Sequence, residues 1–94
     1  LIFMNLEIVS PEKTLFTGEV DSVSVPGTDG SFQMLNNHAP IISTLKEGKV
    51  KIIGNINIPK NTDIFTKISD RETHLNIISG VIEMKNNQVI ILTD

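Results

Sequence analysis

Apolar and polar residues alternate with a period of two along most of the chain, and no stretch shows the period of an amphipathic helix. Such alternation is typical of β-strands that bury one face and expose the other. It occurs around Leu6 and Ile8, Val23 and Val25, Val50 and Ile52, Ile56 and Ile58, Leu75 and Ile77, and Ile82 and Met84. The run at residues 89–92 is apolar throughout, which predicts a strand covered on both faces.

Turn-forming residues separate these segments. They lie at residues 26–30, at the asparagine pairs 36–37 and 86–87, at Gly48 and Gly54, and at residues 59–63 and 69–71. Asparagine tolerates the left-handed conformation, so both pairs predict tight turns. Many short strands with this spacing predict an all-β fold, an antiparallel sandwich or barrel. We also expect one helical turn at residues 39–44 and a lengthened hairpin at residues 54–71.

Length and composition set further bounds. The 94 residues predict a single domain over residues 1–94. The net charge of −3, with acids and bases mixed along the chain, argues against nucleic acid as a partner. The apolar runs are far shorter than the ~20 residues that span a bilayer, so no direct bilayer insertion is expected. No Trp or Tyr is available as a stacking platform, which disfavours a carbohydrate-binding module.

Some residue types of three kinds of catalytic or ligand site occur in the sequence. His38 and His74 are the only histidines, and without cysteine they do not form a zinc-ligand pattern. A Ser–His–Asp triad has its residue types, yet no Gly-x-Ser-x-Gly elbow accompanies them. The Gly-rich residues 27–30 precede a predicted strand rather than the helix that a phosphate loop needs. We therefore predict no catalytic residue, no metal site and no cofactor.

Two stretches carry a family resemblance. The first reads LEIVSPE at residues 6–12 and LFTGEV at residues 15–20. The second reads VPGTDG at residues 25–30, NHAPII at residues 37–42 and LKEG at residues 45–48. A further match, ISGVIE, stands at residues 78–83. In order and spacing these elements resemble the N-terminal domain of the epsilon subunit of F-type ATP synthases, called delta in mitochondria.

The resemblance implies a roughly ten-stranded antiparallel β-sandwich. Because the sequence stops at Asp94, directly after the last predicted strand, we expect a short form without the C-terminal helical hairpin of longer relatives. The resemblance further implies a non-catalytic rotor subunit in the central stalk, linking the gamma subunit to the c-ring and coupling proton translocation to ATP synthesis. Such a subunit would lie at the cytoplasmic face of the bacterial cell membrane, as a peripheral part of the complex. Without the helical hairpin, no nucleotide binding is expected.

The resemblance also assigns roles to individual residues. Ser10, His38 and Ser43 match positions that lie against the gamma subunit, and Asp29, Gly30 and Ser31 match the loop that meets the c-ring. The turn-shaping role of these residues is the plainer interpretation, but it leaves the outward side chains unexplained. Two other functions stay open: an unrelated β-sandwich protein-interaction module, and a small hydrolase or metal-dependent enzyme.

Overall fold

The computed structural model describes residues 3–58 and 63–94, and these ranges contain ten β-strands and no helix. The strands are β1 (Met4–Val9), β2 (Thr14–Val20), β3 (Ser22–Gly27), β4 (Gly30–Leu35), β5 (Ile41–Leu45), β6 (Gly48–Ile53), β7 (Phe65–Ser69), β8 (Glu72–Ile77), β9 (Gly80–Lys85) and β10 (Gln88–Thr93). The predicted all-β class is confirmed. The absence of a helix over the described residues also means that no helix there can cross a membrane.

The strands form two halves of one sheet that folds over on itself. One half has the order β2-β1-β10-β9-β5, and the other has the order β4-β3-β6-β8-β7. The halves join where Gly27 of β3 pairs with Leu45 of β5. At the far side, Phe16 of β2 and Phe65 of β7 meet edge to face, with ring centroids 6.4 Å apart. The two contacts give the sandwich shape that the resemblance implies.

One pairing departs from the predicted antiparallel arrangement. β1 and β10 run parallel, with Asn5 opposite Gln88 and Val9 opposite Leu92, whereas the other pairings between described strands are antiparallel. Parallel strands need a long crossover connection. Here the connection consists of all eight strands that lie between β1 and β10 in the chain.

The core lies between the inner faces of the two halves. Its buried side chains are Met4, Leu6, Ile8, Phe16, Val20, Val23, Val25, Met34, Leu45, Val50, Ile52, Ile56, Phe65, Leu75, Ile77, Ile82, Met84, Val89 and Ile91. Most of them sit at alternate positions of their strands, as the period-two pattern predicts. The core is mainly aliphatic, in keeping with the preference of branched residues for strands.

Both predicted asparagine turns are confirmed. Asn37, Asn86 and Asn87 have φ angles of 65°, 54° and 60°, in the left-handed region. The last two residues connect β9 to β10 with two residues in this conformation, as tight hairpin turns require. The backbone therefore turns sharply at both pairs without glycine.

The predicted helical turn at residues 39–44 is wrong. Residues Ile41–Leu45 form β5, which pairs with β9 along its length from Ile41 opposite Met84 to Leu45 opposite Gly80. Two isoleucines and a threonine in this segment favour the extended conformation. Pairing with β9 satisfies backbone groups that one isolated helical turn would leave exposed.

The described part of residues 54–71, which leaves out residues 59–62, does not form a lengthened hairpin. β6 pairs with β8 rather than with β7, and β7 forms a short hairpin with β8 through the turn at Asp70 and Arg71. Residues 55–58 form no strand, although Ile56 joins the core. The predicted turn at residues 59–63 lies mostly outside the described residues, as do Leu1 and Ile2.

The expectation that residues 89–92 are covered on both faces holds for only part of the run. Val89 and Ile91 are buried, whereas Ile90 is half-buried and Leu92 is 51% exposed. The outer face of β10 therefore remains open at its end, because no layer lies over it within the described residues.

Candidate partner interface

The turn between β3 and β4 carries Asp29 and leads directly into Gly30 and Ser31 at the start of β4, and it is fastened to the end of β5. The Thr28 amide donates a hydrogen bond to the Thr44 carbonyl at 3.1 Å, and the two threonine hydroxyl oxygens lie 3.0 Å apart. These bonds place the predicted c-ring turn directly beside the strand that holds Ser43. Asp29, Gly30 and Ser31 are all exposed, and Gly30 has a φ of 130°, a conformation that strongly favours glycine.

Ser43 lies in the middle of β5 with its side chain on the inner side of the sheet. It stands opposite Ile82, which is fully buried, while its neighbours Ile42 and Thr44 face outward and are exposed. Ser43 is nevertheless half-buried, and its hydroxyl donates to the Thr44 carbonyl at 3.2 Å.

His38 lies before the opposite end of β5. Its backbone amide donates to the Leu35 carbonyl at 3.1 Å, and its ring Nδ1 lies 2.7 Å from the Ala39 carbonyl oxygen. The β9–β10 turn fixes the position of Asn37, the preceding residue, because the Asn37 amide donates to the Asn87 side-chain oxygen at 2.7 Å. His38 thus sits half-buried on a loop whose path is set by asparagine contacts.

Ser10 lies on a different part of the surface. It follows β1, which β10 and β9 separate from β5, so three strand spacings of ~4.8 Å put it about 14 Å from that strand. The Ser10 hydroxyl is engaged locally with the carbonyl and amide of Lys13, at 3.2 and 3.3 Å. The structure therefore brings Ser43 next to the Asp29 turn but does not cluster Ser10 with His38.

Sequence reasoning missed an apolar patch on the outer face of the β1–β10–β9–β5 half. Val9, Leu92 and Val81 stand opposite one another in one cross-strand row, and Ile42 lies diagonally beside Val81. The exposed fractions are 37% for Val81, 51% for Leu92 and 70% for Ile42. The signal in the sequence is the unbroken apolar run at residues 89–92, although such a run alone predicts a strand covered on both faces.

Two carboxylates lie in the neighbouring row of this face. Glu7, Ile90, Glu83 and Ile42 stand opposite one another across β1, β10, β9 and β5. Neither glutamate forms an ion pair with another described residue. The patch thus combines exposed apolar side chains with uncompensated negative charge, a composition suited to a protein partner.

The two histidines contact groups that form no catalytic or metal site with them. The His74 Nε2 atom lies 2.5 Å from a carboxylate oxygen of Glu72 on the same strand, and the His38 ring contacts a backbone carbonyl. Within the described ranges neither ring bonds a serine hydroxyl, and no group of three potential metal ligands occurs. The site that the geometry presents is a surface of hydroxyl, apolar and acidic groups, as in a protein–protein interface.

Fold and surface define an all-β sandwich domain with an exposed face of apolar and acidic side chains. Residues 3–94 match the family model described as the ATP synthase, Delta/Epsilon chain, beta-sandwich domain. The chain belongs to this family.

Named relatives agree with the family match. The chain is 38% identical over 91 residues to the ATP synthase epsilon chain of Leptospira borgpetersenii, covering 97% of this chain and 61% of the relative. It is 39% identical over 90 residues to the ATP synthase epsilon chain of Chlorobaculum tepidum, covering 95% of this chain and 86% of the relative. The chain thus spans about three fifths of the Leptospira relative and most of the Chlorobaculum one.

Two solved structures share the fold. One is a chain of the Euglena gracilis mitochondrial ATP synthase OSCP/F1/c-ring structure, with a TM-score of 0.77 and 13% identity over 99% of this chain and 51% of that chain. The other belongs to the Tetrahymena thermophila mitochondrial ATP synthase central stalk and c-ring structure, with a TM-score of 0.66 and 14% identity over 96% and 62% of the two chains.

Proposed function

We propose that this protein is a non-catalytic rotor subunit of an F-type ATP synthase, linking the gamma subunit to the c-ring in the central stalk. The observation that carries the proposal is the family match, which extends over residues 3–94 and includes every segment of the resemblance. In this role the chain couples proton translocation to ATP synthesis by transmitting rotation. It lies at the cytoplasmic face of a bacterial cell membrane as a peripheral part of the complex.

The arrangement of the site supports two adjoining interfaces. The Asp29 turn faces the c-ring, and the neighbouring β5 surface with Ser43 and His38 faces the gamma subunit. The hydrogen bonds between Thr28 and Thr44 connect the two interfaces mechanically. A force applied to the turn would therefore pass directly into the strand bound by gamma.

The spread of the predicted gamma contacts is compatible with a stable complex. Ser10 lies about 14 Å from β5 across the sheet, His38 precedes the first residue of that strand, and Ser43 lies at its middle. Points spread over such distances fit an interface of standard size, which buries about 800 Å² on each partner. The gamma subunit would then contact one side of the sandwich rather than one pocket.

Titration calorimetry against the gamma subunit of the same genome tests the proposal. We expect one-to-one binding by the unmodified chain and weaker binding by Ser43→Arg and His38→Glu, which place bulk and charge in the interface. Thr66→Arg is the matched control, because Thr66 is an exposed hydroxyl residue on the edge strand β7 at the far end of the strand order. Its affinity should equal that of the unmodified chain.

A second experiment distinguishes the gamma interface from the c-ring interface. Asp29→Lys should leave gamma binding intact and weaken association of the gamma complex with isolated c-ring, because its side chain lies on the turn. Absence of gamma binding by a folded, unmodified chain would refute the rotor role and favour an interaction module of another system.

A further inference from the structure

β5 has one open edge. It pairs with β9 along its whole length but with β3 only through Leu45, opposite Gly27. The carbonyl of Thr44 points to the β3 side, where it accepts the Thr28 amide. In an antiparallel strand the amide and carbonyl of one residue point to the same side, and residues two apart share that side.

The backbone of Ile42 therefore points to the open edge. Its amide and carbonyl have the same direction as the Thr44 carbonyl, and no described strand runs beside β5 at this position. The Ile42 side chain is 70% exposed, more than any other large apolar side chain in the described ranges. Ile42 thus offers a hydrogen-bond donor, a hydrogen-bond acceptor and an exposed apolar side chain at the open edge of β5.

β5 lacks the features that prevent strand edges from pairing with other chains. Such features include charged side chains, proline and bulges within the strand. The sequence of β5 is Ile-Ile-Ser-Thr-Leu, and its pairing with β9 contains no register shift. By contrast, the edge strand β7 carries Lys67 and a register shift between Lys67 and Ser69.

We propose that the open edge of β5 accepts an extended segment of the gamma subunit as an additional strand, with its backbone bonded to Ile42. This inference rests on the proposed function and states how the gamma subunit is held. Main-chain hydrogen bonds supply affinity in this mode of binding, and alternate side chains supply specificity. Ser43 and His38 would then be close to gamma because they flank or belong to the strand that gamma extends.

The surface beside the edge defines the chemistry of the added segment. The exposed Ile42 side chain favours an apolar residue beside it on the outer face of the added segment. Glu83 stands opposite Ile42 on β9, which pairs with the edge of β5 away from the open one. Glu83 has no ion-pair partner among the described residues, so a lysine or arginine on the added segment would compensate its charge. A second copy of this chain fits less well, because each copy has a net charge of −3.

The test compares Ile42→Pro with Ile42→Val in titration calorimetry with gamma. Proline removes the amide that faces the open edge, while the hydrogen bonds to β9 come from the neighbouring residues and are retained. Valine keeps the amide and the branched shape. We expect the dissociation constant to rise by about tenfold or more for Ile42→Pro and by less than about threefold for Ile42→Val.

Hydrogen exchange of the unmodified chain provides a measurement that does not depend on a variant folding. The Ile42 amide should exchange rapidly in the free chain and become protected in the gamma complex. Unchanged exchange on binding, or equal affinities of a folded Ile42→Pro and Ile42→Val, would overturn strand addition. Both results leave the rotor role standing, whereas lack of gamma binding by the unmodified chain refutes that role itself.

Sedimentation of the free chain tests whether a second copy of this chain, rather than gamma, pairs with the open edge of β5. A monomer over the working concentration range is expected. A dimer that Ile42→Pro abolishes would assign the open edge to another copy of this chain and overturn the proposal.

Discussion

The hydroxyl oxygens of Thr28 and Thr44 lie 3.0 Å apart and join the turn that carries Asp29 to the end of the strand that carries Ser43. Thr44→Val removes this bond while keeping a branched residue suited to a strand. Because both side chains are exposed, we expect a loss of only about 0.5–1 kcal/mol in the free energy of unfolding. Denaturant titration of Thr28→Val, Thr44→Val and the double variant measures this loss. Strictly additive effects would show that the hydroxyls do not interact.

Asn87 combines a left-handed backbone with buried side-chain bonds. It is 5% exposed, accepts the Asn37 amide at 2.7 Å and donates to the Asn36 side-chain oxygen at 2.5 Å. Asn87→Ala should cost about 2–3 kcal/mol of stability, because it removes these bonds and strains the turn. Asn87→Gly loses the same bonds without the strain, so it should cost about 1 kcal/mol less. Thermal and denaturant unfolding of the pair check the order; equal losses would contradict the assigned backbone strain.

The strands and the asparagine turns were predictable because their signals are local. Alternation such as that of Val50 and Ile52 reports which face of a strand is buried, whatever that strand pairs with. Asn86 and Asn87 favour a left-handed turn through their own side chains. The family resemblance likewise depends on local motifs, and the match over residues 3–94 confirms it.

The features that the sequence did not reveal depend on strand order. β1 lies beside β10 although the two are the first and last strands, and only that pairing places Val9 opposite Leu92 in the apolar patch. The free edge of β5 likewise arises because β3 reaches it only at Gly27. Alternation along one strand carries no information about its neighbours, so neither the patch nor the separation of Ser10 from β5 was predictable.

Gly80 marks a close approach of β9 to β10. A β-carbon added there would lie 2.6 Å from the Leu92 carbonyl oxygen, which belongs to the backbone of a central strand. Gly80→Ala should therefore destabilise the fold by about 2–3 kcal/mol. Gly18→Ala is the matched control, because its β-carbon would meet only the tip of the Phe16 ring at 2.9 Å, and a side chain can move. Equal unfolding midpoints for the two variants would contradict the prediction that Gly80→Ala is the more destabilising.

Asp94 provides a prediction for pH dependence. The hydroxyl of Thr93 donates to the Asp94 carboxylate at 2.9 Å and lowers the pKa of this carboxyl below its ordinary value. Its contribution to stability is present above the pKa of the unfolded chain and is lost as the pH falls through the lower folded pKa. An NMR titration should show the low pKa in the unmodified chain and an increase in Thr93→Val. An unchanged pKa in that variant would assign the shift to other groups.

The edge-to-face pair of Phe16 and Phe65 holds together the strands β2 and β7, which lie at opposite ends of the strand order. Both rings are buried, so Phe65→Ala should cost about 3–5 kcal/mol by opening a cavity between the two halves of the sheet. Phe65→Leu keeps most of the volume and should cost clearly less, because it loses mainly the aromatic contact. A double-mutant cycle of Phe16→Leu and Phe65→Leu should give a coupling of about 0.5–1.5 kcal/mol. Zero coupling in denaturant titrations would mean that the two rings fill space independently of each other.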